Sequence, residues 1–205
     1  MTRLTPGPQF RASYGTKLHY QQLAMESRQK WISEDDRCGF VKPDEKLFVN
    51  SGMLRVQPSD QLGALEKETL ANMERDGLRD TQFVKSHLED RSRARERGWE
   101  DKLLEFNIPN HSAGETYEAV LDSLAGFVRC SAACAHHQKV AAAKGVEFCF
   151  GSQKGTFDSF VEAESVQEPG KRKVVGLRTK DGIVHNADVV VVAGESDNTT
   201  RYQSG

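Results

Sequence analysis

The chain has 205 residues, 37% hydrophobic and 28% charged, with 28 basic against 30 acidic side chains, a net charge of -2 and a mean hydropathy of -0.62. That length buries a core for one domain or one and a half, and the hydrophobic share excludes a chain disordered throughout. The balanced charge gives no support for a nucleic acid or an anionic membrane as partner, and no apolar run is long enough for a signal peptide or a membrane span.

In chain order, residues 1–13 carry two prolines and a glycine without period and read as an extended lead-in. Tyr20, Leu23, Ala24, Ser27 and Trp31 recur at helical spacing and predict a helix over about 15–31 with one packed stripe. The polar stretch 33–46 reads as a loop, with Pro43 enforcing extended backbone before it. Phe48 to Val56 reads as a strand interrupted at Ser51-Gly52. Asp60 to Arg75 reads as a helix with Leu62, Leu65, Leu70 and Met73 on its apolar face and Gly77 just beyond its end. Lys85 to Lys102 mixes both charges around Trp99. A docking surface is one reading, but mixed signs at helical spacing favour a solvated helix with internal ion pairs.

Tyr117, Val120, Leu121 and Leu124 predict a short amphipathic helix, and Ala125 to Arg129 a brief strand. Ser131 to Lys144 reads as an alanine-rich helix stopped by Gly145, with Val146 to Phe150 as the strand after it. Strands are then expected at Thr156 to Ala163, Val174 to Thr179 and Ile183 to His185. Asp181-Gly182 makes the last hairpin turn, since glycine supplies the positive φ such turns need. The run from Ala187 through Val189, Val190, Val191 and Val192 to Gly194 lacks alternation. It predicts a strand buried on both faces in a helix-covered parallel sheet, its small carboxyl end open to a ligand.

Three stretches now carry a resemblance: AGFVRCSAACAHHQKVAAAKGVEFCFG, KGTFDSF and VVGLRTKDGIVHNADVVVVAGES. Together they look like the central part of the FAD-dependent D-amino-acid oxidase and sarcosine oxidase superfamily. The nearest group is the fungal fructosyl amino-acid, saccharopine and pipecolate oxidases. RASYGTKLHYQQLAMESRQKW resembles the family's segment after the first part of the FAD site, and FVNSGMLRV its substrate-domain strand. The likeness covers roughly three-quarters of the chain and is weakest between residues 58 and 115.

What the resemblance implies is an α/β chain with an α+β substrate part: an incomplete FAD-binding Rossmann-like domain carrying an inserted antiparallel sheet. Residues 1–47 would be lead-in and helix of the FAD-binding part, 48–124 a substrate-domain portion with a charged helical insert, and 125–205 the return to the FAD-binding part. By the same likeness Phe157, Ala193 and Gly194 would approach the FAD, and Arg11 would be the cation facing flavin or substrate. The resemblance assigns no catalytic base in this sequence. The implied reaction is oxidation of the C–N bond of a secondary amine or amino acid by hydride transfer to flavin, with O2 reoxidising it. A small-molecule amine is then the partner. The family's opening Gly-x-Gly-x-x-Gly has no counterpart in this sequence, so the chain is expected to be an internal piece with weak or no FAD binding. A non-catalytic remnant, an interaction piece and a small standalone binding module are the rival readings.

Cys38, Cys130, Cys134 and Cys149 read as reduced thiols, and a cytoplasmic location is the expectation. Cys130 and Cys134 share a helix face, but His136 and His137 point elsewhere from it, so no metal site is expected there. Ser131 lacks the elbow of a hydrolase nucleophile, and the Gly151 to Thr156 run lacks the ending of a phosphate loop.

Overall fold

The computed structural model describes residues 9–42, 44–106, 108, 115–165 and 168–193. Two units emerge from it, Met1–Gln138 and Lys139–Gly205.

The first unit opens with β1 (Gln9–Phe10) and α1 (Leu18–Cys38). That helix runs past the predicted end at residue 31, because its stop signal is Gly39 rather than the polar loop. Gly39 takes φ 68°, and the amides of Gly39 and Phe40 close on the carbonyls of Asp36 and Asp35, as a left-handed helix terminus requires. The buried face matches the predicted stripe only in part: Ala24 is buried and Ser27 and Trp31 are half-buried. Gln21, Ala24 and Asp35 are buried, whereas Tyr20 and Leu23 are largely exposed. The helical period is right, but two of the three buried positions, Gln21 and Asp35, are polar, and a search for apolar spacing passes over them.

β2 (Phe48–Val49) and β3 (Met53–Gln57) follow, broken at Ser51-Gly52 as expected. α2 (Ala64–Arg75) buries Leu70 and Met73 but leaves Leu65 exposed. Next come β4 (Gln82–Val84), α3 (Leu88–Glu96) and α4 (Glu100–Leu104), so the charged stretch is two short helices rather than one. Most of it is solvated, yet Asp90 and Ala94 are buried.

Glu118–Asp122 is β5, a strand with all five residues buried, where a short helix was expected. It is the middle strand of the β3-β5-β4 sheet. Antiparallel register sets Phe83 against Leu121 and Val84 against Val120. Neighbouring residues point to opposite faces, so Phe83 and Leu121 join Ala94 and Leu103 in one cluster, and Val84 and Val120 join Leu70 in another. With both faces covered, the strand loses the alternation that marks a half-buried one, and a short apolar run of that kind is ambiguous between helix and strand. β6 (Gly126–Val128) lies between β1 and β2 in a second antiparallel sheet. α5 (Cys130–Ala143) then begins, ending before Gly145 as predicted.

In the second unit β7 (Phe157–Glu164), β8 (Arg172–Thr179) and β9 (Val184–Asn186) form an antiparallel meander in that order, with the last turn at Asp181-Gly182. Two expectations fail here. Val146 to Phe150 is exposed and not a strand. Residues 187–193 are not a strand either, and Val189, Val191 and Val192 are 76%, 80% and 57% exposed. A doubly buried parallel strand needs parallel neighbours and helices over both faces, and every strand pairing among the described residues is antiparallel. The fold of the described residues is therefore mixed, helices with small antiparallel sheets, and no parallel pairing of a Rossmann-like sheet occurs among them.

Candidate functional site

Arg11 follows β1 and is half-buried. Its Nε donates to the Ser13 carbonyl at 3.0 Å, and its guanidinium lies over the Tyr14 ring at 5.3 Å. The local backbone and one aromatic face hold it, and no carboxylate pairs with it among the described residues. Phe157 begins β7, pairs with Thr179 and packs its ring against Phe160 at 4.8 Å. Ala193 is exposed, and Gly194 lies outside the described residues. Arg11 belongs to the first unit and Phe157 and Ala193 to the second.

Sequence reasoning missed a buried charge network on the β3-β5-β4 sheet. From β3, Arg55 donates Nε to both oxygens of Glu66 on α2 at 3.1 and 3.0 Å, NH1 to Ser13 Oγ at 2.8 Å and NH2 to Gln82 Oε1 at 3.2 Å. Gln82 in turn donates to Asp122 Oδ1 at 2.8 Å, and Asp122 Oδ2 stands 3.7 Å from Arg55. Gln82 and Asp122 are fully buried. Such a guanidinium, fixed by several acceptors, locks the lead-in, α2 and the sheet into one register. Nothing local in the sequence marks it, since its members lie up to 109 positions apart.

A groove of about 410 Å³ opens beside α1, lined by Arg28, Ile32, Asp35, Lys46, Phe48 and Asn50 among others. Arg28 is tied at its edge, with Nε to the Leu124 carbonyl at 3.1 Å and NH2 to Asn50 Oδ1 at 3.0 Å. Burial pulls the Arg28 guanidinium below its ordinary value, against the opposing charge of Asp122. Asp35 at the same place accepts the buried amides of Leu47 and Phe48 at 2.7 and 3.3 Å, so its carboxylate is committed to the strand entry.

Near the end of α1, Glu34 and Cys38 stand one turn apart and meet His136 of α5. His136 Nε2 is 2.6 Å from Glu34 Oε1 and 3.7 Å from Cys38 Sγ. Hydrogen bonds from Arg37 and then from His136 hold the Glu34 carboxyl down at about 2. Cys130 and Cys134 are exposed, so His136 sides with a cysteine from a different helix than the one weighed in the sequence. The i, i+4 pairing of Glu34 and Cys38 depends on α1 running through residues read as a loop, and the third member required the tertiary fold.

No family model matches this sequence, and no curated protein matches it either. Solved structures do match in fold. The architecture is similar in fold to a section of fructosyl peptide oxidases. A modified fructosyl peptide oxidase from Aspergillus nidulans with an arginine-to-glycine mutation superposes with a TM-score of 0.57 at 21% identity, covering 89% of this chain and 37% of that one. The same enzyme with seven additional mutations, in complex with FSA, gives 0.58 at 20% identity over 90% and 38%. A thermally stable mutant of a fructosyl peptide oxidase gives 0.51 at 21% identity over 89% and 37%. The resemblance drawn from the sequence thus holds in the fold of most of the chain, which spans a little over a third of the length of those enzymes. Among the described residues no helix is long and apolar enough to cross a membrane.

Proposed function

We propose that the chain is a section of an FAD-dependent oxidoreductase that oxidises the C–N bond of a secondary amine or amino acid. The observation that carries the reading is the fold likeness to fructosyl peptide oxidases over about nine-tenths of the chain. A glycated or otherwise N-substituted amino acid is the substrate class it favours.

The described residues do not make an FAD site by themselves. No Gly-x-Gly-x-x-Gly occurs in the sequence, Ala193 is exposed outside any sheet, and Phe157 packs on its own strand neighbour. The role this chain's residues support is binding: Arg11, fixed by Ser13 and Tyr14, is the cation proposed to meet the substrate carboxylate, as a charge-assisted pair would. In an assembled, flavin-loaded enzyme, Arg11→Ala would raise KM at least about tenfold for an amino-acid substrate. It would leave a matched amine without the carboxylate unaffected. Equal effects on both would remove Arg11 from the site.

The exposed Val189, Val191 and Val192 favour a second reading, a chain that holds no flavin and serves as an interaction piece or remnant. Titrating the purified chain with FAD separates the two. Quenched flavin fluorescence with amine-dependent peroxide release supports an oxidase. Free flavin and no peroxide support the second reading for the chain alone.

A further inference from the structure

The cluster of Glu34, Cys38 and His136 plays no part in the reading above. Its three ligand atoms lie within 4.8 Å of one another, and the side chains come from two helices. Bond lengths of about 2.3 Å to sulfur and about 2.0–2.1 Å to nitrogen and oxygen place the corners of a zinc tetrahedron about 3.4–3.6 Å apart. Cys38 Sγ and His136 Nε2 already stand 3.7 Å apart, and Cys38 Sγ and Glu34 Oε1 4.0 Å. The 2.6 Å hydrogen bond between His136 and Glu34 has to open by roughly 0.8 Å, and Arg37 Nη2, which bonds the same Glu34 oxygen, has to release it, as a carboxylate rotation provides. Arg37 Nε meanwhile holds the other Glu34 oxygen at 3.1 Å, the kind of outer contact that orients a carboxylate ligand. The Phe40 ring packs edge-on against the imidazole at 5.9 Å and limits its rotation. His136 and Glu34 are 16% and 21% exposed, so an ion can enter and keep one water.

We propose that Glu34, Cys38 and His136 bind one divalent transition-metal ion of the zinc class, with water in the fourth position. The thiol loses its proton to solvent, His136 gives up the Nε2 proton that bonds Glu34 and keeps a proton on Nδ1, and the Glu34 oxygen exchanges its hydrogen bonds from His136 and Arg37 for the ion. A thiolate and an imidazole select zinc or cobalt over magnesium or calcium, which prefer all-oxygen sets. The bound ion would tie the last turn of α1 to α5.

The test uses the full chain with Cys130, Cys134 and Cys149, all exposed, changed to serine so that Cys38 is the single thiol. Co2+ is added first, then Zn2+, with dialysed protein and far-UV circular dichroism to check folding. One equivalent of Co2+ with thiolate-to-cobalt charge-transfer absorption, displaced by Zn2+, is the expected result. Cys38→Ser abolishes that band, and His136→Gln weakens binding at least about a hundredfold, more than the ~10–100-fold typical of outer-shell losses. Glu34→Gln weakens it less and keeps the band. Absence of the charge-transfer band in the single-thiol protein overturns the site without any variant at its ligands. Unchanged affinity in a folded His136→Gln protein overturns it as well.

Discussion

Asp90 illustrates how one side chain joins several elements. Its carboxylate is buried, accepts Arg79 NH2 at 2.7 Å and Arg93 NH2 at 2.5 Å, and also takes the Val84 amide at 2.8 Å. Burial alone would push its pKa up. The Arg79 hydrogen bond, the Val84 amide and the charges of Arg79 and Arg93 outweigh it, so the group titrates below the usual aspartate range. Because the folded value is depressed, the stabilisation is present above the unfolded value of about 3.9 and is lost as pH falls through the folded one. Asp90→Asn should lower stability by about 1.5–3 kcal/mol at neutral pH, measured by urea unfolding with an unchanged slope. The same series repeated toward acid should find the difference shrinking below about pH 4. A gap that stays constant with pH would show that the charge of Asp90 is not what matters. In the sequence this residue sits within a run of mixed charges that reads as solvated. The run is solvated for the most part, and its exception is the member that folds back to cap β4.

Among the elements, β6 depends on a residue with no side chain. A Cβ placed on Gly126 would lie 2.1 Å from the Val49 carbonyl oxygen and 3.1 Å from the Asn50 Cα, so backbone rather than a movable side chain stands in the way. Gly126→Ala should therefore separate β6 from β2 and cost at least about 2 kcal/mol, read as a lower urea midpoint. A variant as stable as the parent would mean that β2 shifts freely. The strand itself was legible from Phe127 and Val128, as were α2, α5 and the hairpin at Asp181-Gly182, because glycine stops and local periods announce them. β5 was not legible. Its apolar run is too short for periodicity to separate a helix from a strand covered on both faces.

At the scale of the whole chain the buried apolar side chains are unevenly placed. All of them in the described residues lie between Ala12 and Ala133, within the first unit. In the second unit the buried positions are Gly176 and Thr179, so the β7-β8-β9 sheet rests on backbone pairing and half-buried contacts. Hydrogen exchange should accordingly release the β8 amides well before those of β5, because local opening is governed by how much apolar surface covers the backbone. Equal protection in β5 and β8 would place both in one cooperative unit. The exposed valines beyond β9 belong to the same picture. Their sequence reads as core, while their surroundings in this chain are not.

What the amino-acid sequence determined by itself is what short-range physics controls. Helix stops, the hairpin turn and the interrupted β2–β3 stretch all depend on residues a few positions apart. What only the tertiary structure decided depends on distant partners. Which stripe of α1 is buried, that β5 is a central strand, that Arg55 gathers Glu66, Gln82 and Asp122, and that His136 meets Glu34 and Cys38 all follow from contacts across tens of positions. The valine run marks the boundary between the two. Its composition carries a strong preference for a sheet interior, yet a strand is buried only when other chain segments pair with it and cover it, and no local pattern can supply those.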